Sequence, residues 1–174
     1  MTLTSGPLLI TNSLNIAGPG PASLAVDGNL AYRVFNLGAG LTSSISGLTI
    51  QIGRLQNGGG LGNFGTMVLS NCVITGNGAT GAGGFGGAIH NGTSGVLSLF
   101  ACTLSNNFAG SGAVGGTGQD GTISHPVGYT GGTGLPGGNG GGIYNEGVLA
   151  LTACMLARLH THFFGSRRIL TTER

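Results

Sequence analysis

Three segments of this chain repeat one pattern of apolar and polar residues. Residues 65–77 read GTMVLSNCVITGN, residues 95–107 read GVLSLFACTLSNN, and residues 147–156 read GVLALTACML. In each copy apolar side chains alternate with small or polar ones, and alternation with a period of two is typical of a half-buried β-strand. The three segments therefore predict equivalent strands that recur along the chain.

The alignment of the copies also predicts which side chains point inward. The inward slots hold Met67, Leu69, Cys72 and Ile74, then Leu97, Leu99, Cys102 and Leu104, then Leu149, Leu151, Cys154 and Leu156. The step from Leu69 to Cys72 is three residues instead of two, so we expect a bend at Ser70 and Asn71. Glycine tolerates left-handed backbone best, and we expect it to supply the corners.

The spacing of the copies indicates a solenoid. Looser copies lie at 42–50 and 13–18, and the steps from Leu48 to Cys72 and from Cys72 to Cys102 are 24 and 30 residues. Short strands separated by glycine-rich turns at such a spacing are typical of β-solenoid coils. We expect an all-β fold of about four to six coils over residues 1–157. It carries a glycine-rich insertion at 110–139 and is followed by a basic, non-repeating tail at 158–174.

Stacked coils place equivalent residues on one another. Asn77 and Asn107 then share a turn position, where stacked side-chain amides can satisfy the turn. His90 takes the slot of Tyr144, which predicts an outward aromatic position rather than a ligand position. The inward slot shared by Cys72, Cys102 and Cys154 predicts buried, reduced thiols that pack as small apolar groups.

The amino-acid composition disfavours several classes of function. Glycine accounts for 39 of the 174 residues, about 22%, against about 7% in ordinary proteins. Charged residues make up only 6% of the chain, against about 25%. Residues 1–157 contain two arginines and three acids, which gives a net charge of −1 and disfavours nucleic-acid binding. No apolar run reaches the roughly 20 residues of a membrane span, and residues 1–6 do not resemble a signal peptide.

The repeats resemble a known family. The run GGGIYNEGVLALTAC at 140–154 is similar to right-handed parallel β-helix repeats of bacterial surface proteins, the pectate-lyase-like solenoids. Residues 86–89 (GGAI) resemble a motif of chlamydial polymorphic outer membrane proteins, whose companion FxxN motif is represented only by 74–77 and 104–107. The resemblance covers about residues 5–156 and implies a right-handed β-helix, a fold that hosts both enzymes and adhesins.

The resemblance implies a structural, adhesin-like segment of an exported protein at the cell surface or outside the cell. Its expected partners are cell-surface carbohydrate or protein, and end-to-end self-association. One alternative is a fragment of a carbohydrate-active lyase or hydrolase, and another is a gene fragment without a function. The four acids, Asp27, Asp120, Glu146 and Glu173, occupy no common repeat position, whereas glycosidases need two carboxylates about 5–9.5 Å apart. We therefore expect no catalysis.

No cofactor or metal site is expected. The GxGxxG pattern at 81–86 recurs elsewhere by chance and lacks the strand–turn–helix context of a dinucleotide site. Residues 115–123 resemble a single calcium-binding nonapeptide, which works only in tandem, and His160 with His162 lack a third ligand. The departure of 158–174 from the repeat leaves open a truncated or frame-shifted end and a basic cap over the last coil.

Overall fold

The chain folds into successive coils of short strands. The computed structural model describes residues 1–111, 138 and 140–157, and the backbone of two further strands at 164–165 and 169–172. All strand pairs in this part are parallel, and it contains no helix long and apolar enough to cross a membrane. The predicted all-β parallel β-helix is confirmed.

Three stacked sheets form the sides of the solenoid, with strands numbered in chain order. The first sheet stacks β1 (Leu8–Ile10), β4 (Phe35–Leu37), β8 (Leu61–Asn63), β12 (Ile89–Asn91), β15 (Ile143–Asn145) and β18 (Phe164–Gly165). The second sheet stacks β2 (Asn15–Ala17), β5 (Thr42–Ser46), β9 (Thr66–Ser70), β13 (Val96–Phe100), β16 (Val148–Thr152) and β19 (Ile169–Thr172). The third sheet stacks β3 (Ala25–Asp27), β6 (Thr49–Gln51), β10 (Val73–Thr75), β14 (Thr103–Ser105) and β17 (Met155–Ala157), and a short pair joins β7 (Arg54–Leu55) to β11 (Gly78–Ala79).

Each coil contributes one strand to each sheet. Five coils are represented in all three sheets, while β18 and β19 add to the first and second sheets only. The register pairs Met67 with Leu97 and Leu97 with Leu149, as the alignment of the sequence copies predicts. Identical spacing within the strands therefore places each inward slot on its equivalent in the next coil.

The core is made of these stacked inward slots. Most of the predicted inward side chains are fully buried, and Cys154 and Leu156 in the fifth coil are half-buried. The first sheet adds a further inward column that the three sequence copies do not contain, formed by Phe35, Leu61, Ile89 and Ile143. The interior is therefore a set of apolar ladders along the solenoid axis.

A sharp corner joins the second sheet to the third in the second to fifth coils. The corner residues Gly47, Asn71, Ala101 and Ala153 have φ angles of 63°, 48°, 50° and 52°. The predicted bend at Ser70 and Asn71 is confirmed, and it brings both Leu69 and Cys72 inward. The expectation that glycine supplies this corner is wrong at three of the four positions. The stacking register holds asparagine and alanine in left-handed backbone, at a cost of roughly 1–2 kcal/mol each for a residue with a Cβ.

The predicted asparagine stack is present at one turn. Asn77 donates to the Asn107 Oδ1 through its backbone N–H at 2.9 Å and its side-chain Nδ2 at 3.2 Å. Asn107 Nδ2 in turn donates to the Ile74 carbonyl at 2.8 Å, and Asn77 Oδ1 accepts from the Gly53 N–H. Both amides are fully buried, so their hydrogen bonds hold the turn without water.

A second asparagine ladder lies in the first sheet and was not predicted. Asn63 Nδ2 donates to Asn91 Oδ1 at 2.6 Å, and Asn91 Nδ2 donates to Asn145 Oδ1 at 2.7 Å. The Asn91 amide also donates to the carbonyls of Gly95 and Val148. Among the described residues no buried side-chain nitrogen or oxygen lacks a hydrogen-bond partner.

The ends of the predicted insertion meet at one corner. Gly138 donates its N–H to the Gly110 carbonyl at 2.7 Å, and Gly110 donates to the Gly84 carbonyl at 2.9 Å. The insertion therefore leaves and rejoins the solenoid at the same corner. Residues 112–137 and 139 lie outside the described residues, as do the side chains of the tail at 158–174.

We expect Asn91→Ala to destabilise the fold by about 2–3 kcal/mol, because it leaves buried amide and carbonyl groups of the ladder without partners. The shift in the guanidinium unfolding midpoint measures the loss. Asn12 is exposed, so Asn12→Ala is the matched control and should change stability by less than about 0.5 kcal/mol. Equal losses in the two variants would contradict a special role for the ladder.

Ala101→Gly should stabilise the protein by about 0.5–1 kcal/mol, because glycine adopts the left-handed corner without a Cβ clash. The same substitution at Ala17, which is exposed within the extended strand β2, should destabilise by a similar amount. Thermal unfolding followed by circular dichroism distinguishes the two signs. A lower melting temperature for Ala101→Gly would show that the corner is not strained.

Candidate functional site

Two ring side chains stand on the outer surface of the first sheet. Within β12 and β15 the inward residues flank His90 and Tyr144, so the period of two points both rings outward. The register pairs His90 directly with Tyr144 in the next coil. The prediction that His90 takes the slot of Tyr144 is confirmed.

Two phenylalanines from neighbouring turns extend this pair. Phe64 follows β8 and meets His90 edge-on at 5.6 Å between ring centroids, while Phe85 precedes β12 and stacks on Tyr144 at 4.7 Å. His90 and Tyr144 are 5.7 Å apart. We call Phe64, Phe85, His90 and Tyr144 the aromatic face; all four are half-buried. Sequence reasoning missed both phenylalanines, because they lie in turns outside the aligned repeat.

Turn glycines make room for these rings. Gly58 has a φ of +66°, and a Cβ there would lie 2.9 Å from the His90 Cβ. Gly86 has a φ of +63°, and a Cβ there would lie 3.1 Å from the Tyr144 Cβ. Each glycine thus lets the turn of one coil lie against the ring-bearing strand of the next.

A carboxylate borders the aromatic face. Glu146 follows β15 and approaches His90 of the preceding coil, with 3.1 Å between Oε2 and Nε2. The Glu146 side chain is 40% exposed and that of His90 is 12% exposed, so the pair stands at the edge of solvent. In the sequence, Glu146 is only one of four acids without a common repeat position. A contact between residues 56 positions apart has no signal in the local pattern.

Burial, and secondarily the charge of Glu146, raise the pKa of the Tyr144 phenol. The phenol is therefore neutral at physiological pH and keeps its O–H as a donor. Tyr144 has no hydrogen bond to the described residues, so this donor faces outward.

A buried arginine lies on the other side of His90. Arg33 Nε donates to the Gly58 carbonyl at 2.9 Å, and its two terminal nitrogens donate to Asn36 Oδ1 and the Asn57 carbonyl. Its guanidinium fills the space above Gly62, where a Cβ would meet it. Burial lowers the pKa of Arg33 to about 10, which still leaves it charged at neutral pH. Sequence reasoning counted Arg33 only in the net charge.

The described carboxylates are far apart. Asp27 lies in β3 of the first coil, where it accepts hydrogen bonds from Gln51 and the Asn29 backbone N–H. Glu146 lies in the fifth coil, four coils further along. At about 4.8 Å per coil this separation is about 19 Å along the axis, twice the largest spacing of a glycosidase pair. Asp120 and Glu173 lie outside the described residues.

The other sequence motifs contribute no further site. The glycines at 81, 83 and 86 have positive φ, but the turn leads into strand β12 and not into a helix whose N-terminus could hold a phosphate. The described residues contain no group of three or more histidine, cysteine or acidic side chains suited to a metal ion. The motif at 115–123 and the pair His160 and His162 lie outside those residues.

The three cysteines are free and stack in one slot. Cys72 and Cys102 are buried and Cys154 is half-buried. Their thiols donate to nearby carbonyls, as Cys72 does to Ser70 at 3.3 Å. The hydrogen bond with Cys72 and burial raise the pKa of the Cys102 thiol, which keeps it protonated. The same hydrogen bond lowers the pKa of the Cys72 thiol. Cys72 and Cys102 are buried as the sequence predicts, whereas Cys154 is only half-buried.

Comparisons of the chain with protein-family models, with curated proteins and with solved structures find no match. What the aromatic face does therefore has to follow from its own residues.

We expect the Tyr144 phenol to titrate above the ordinary tyrosine pKa of about 10. Ultraviolet absorbance against pH measures this in a Tyr32→Phe, Tyr129→Phe background, which leaves Tyr144 as the one tyrosine of three. Adding Glu146→Gln should lower the pKa part of the way, because burial is the larger cause and persists. A pKa at or below the ordinary value would refute the arrangement of Tyr144 and Glu146.

Proposed function

We propose that this chain is a structural, adhesin-like segment of an exported protein, whose β-helix displays its outer face at the cell surface. The observation that carries the proposal is the aromatic face. His90 and Tyr144 stand on the first sheet, and Phe64 and Phe85 join them from the adjoining turns. Half-buried rings in such a position are typical of a recognition surface.

The resemblance to pectate-lyase-like solenoids and to polymorphic outer membrane proteins supports an exported location. The motif that carries it, GGAI at 86–89, forms the turn and strand that place Phe85 and His90. The same repeat thus builds the coil and presents the rings. The partners we propose are a carbohydrate or a protein at a cell surface.

The chemistry of the described part favours binding over catalysis. Its two carboxylates are four coils apart, and the arginines are engaged by backbone carbonyls or by an aromatic ring. A carbohydrate-active enzyme would need two carboxylates, or an acidic calcium site and a base, in one place. No specific observation favours that alternative.

Antibodies raised against this chain should label intact cells of the organism that encodes it, and protease treatment of those cells should remove the signal. Antibodies against a cytoplasmic protein serve as the control, since they should label permeabilised cells only. Labelling by the chain's antibodies that requires permeabilisation would overturn the surface location.

We also propose end-to-end association of the 174-residue chain. Among the described strands, β1 and β2 have a neighbouring strand on one side only. The open side of β3 is partly covered by a bridge between Thr2 and Asp27. Unpaired strand edges recruit further strands. Sedimentation velocity should show larger species as concentration rises. Leu9→Lys on the edge strand should suppress them, and Val68→Lys in the middle of a sheet should not; a monomer at every concentration would refute association.

A further inference from the structure

The aromatic face carries polar groups that the fold does not use. The Tyr144 hydroxyl has no hydrogen bond to the described residues, and only Oε2 of the Glu146 carboxylate contacts His90. None of the described residues donates a hydrogen bond to the second carboxylate oxygen of Glu146, so this oxygen can accept one from a ligand. A donor and an acceptor thus border two stacked rings.

The rings are spaced along the solenoid axis. The centroids of neighbouring rings from Phe64 through His90 and Tyr144 to Phe85 lie 4.7–5.7 Å apart. Phe64, His90 and Tyr144 belong to three successive coils, so they span two coil steps, about 10 Å along the axis, and Phe85 lies beside Tyr144 from the turn before β12. An elongated ligand lying parallel to the axis would contact more than one ring.

The charges around the face disfavour an acidic ligand. Among the described residues that border the face, Glu146 is the exposed charge, and it would repel an anion. Arg33 is buried and donates to Gly58, Asn36 and Asn57, and Arg54 donates to Gly53 and Gly76 and lies against the Phe108 ring at 4.6 Å. Both guanidinium groups are thus engaged by partners within the fold.

The remaining chemistry fits a neutral sugar. The negative face of an aromatic ring attracts the weakly positive C–H bonds of a sugar ring. Sugar hydroxyls can donate to Glu146 and accept from Tyr144, and a few placed polar groups beside apolar surface are what fix a small ligand. Aromatic rings and a carboxylate could also bind an organic cation, which has to be surrounded by ring faces. Phe85 and Tyr144 stack on each other, so the ring faces between them are covered and cannot contact a cation.

We propose that the aromatic face binds a neutral oligosaccharide along the solenoid axis. Tyr144 and Phe85 pack against sugar rings, and Glu146 accepts hydrogen bonds from sugar hydroxyls. This inference rests on the proposed function, since it names the partner of the displayed face.

The test is calorimetric titration of the 174-residue chain with cellohexaose, mannohexaose, xylohexaose and chitohexaose. We expect at least one to bind, and Tyr144→Ala and Glu146→Gln each to weaken it about tenfold. Phe100→Ala is the matched control, because Phe100 is an exposed aromatic, 55% accessible, on the neighbouring second sheet. It should leave the affinity unchanged. Circular dichroism verifies that each variant is folded.

The inference is overturned if none of the four sugars binds, if Phe100→Ala weakens binding as much as Tyr144→Ala, or if oligogalacturonate or tetramethylammonium binds in preference. Surface labelling of cells is independent of this titration. A chain that labels at the surface but binds no sugar refutes this inference alone. A chain that binds the sugar but stays inside the cell refutes the surface location alone.

Discussion

Backbone hydrogen bonds between parallel strands of successive coils set every other feature of this molecule. They place each residue on its equivalent about 4.8 Å away, so a slot must suit the same kind of side chain in every coil. Apolar slots become continuous ladders, as along Ile45, Leu69, Leu99 and Leu151. The corner residues are held by the same constraint, which keeps Ala101 and Ala153 in left-handed backbone although glycine would fit with less strain.

The constraint also explains how polar side chains are accommodated in the buried interior of the solenoid. A lone buried amide would be unsatisfied, but an asparagine placed on an asparagine finds donors and acceptors in the next coil. Asn63, Asn91 and Asn145 form such a chain, and the second coil holds Leu37 in the same column. The ladder therefore begins where the column changes from an apolar to an amide side chain.

On the outer surface of the coils, stacked positions tolerate different kinds of side chain. The outward column of the first sheet runs through Asn36, Gly62, His90 and Tyr144, and the buried guanidinium of Arg33 occupies the place left by Gly62. The rings that join His90 and Tyr144 come from turns, whose lengths differ from coil to coil. A regular repeat and turns of unequal length together place four rings on the outer surface without altering the core.

The sequence by itself determined the period, the inward slots, the bend after Leu69, the stack of Asn77 on Asn107 and the place of His90 in the slot of Tyr144. All of these follow from local alternation repeated at regular spacing. Only the tertiary structure decided which residues of different coils meet. Glu146 reaches His90 across 56 positions, and Phe64 and Phe85 join the rings from turns. The physical reason is that stacking brings together residues separated by turns of unequal length, and no periodic pattern in the chain records those distances.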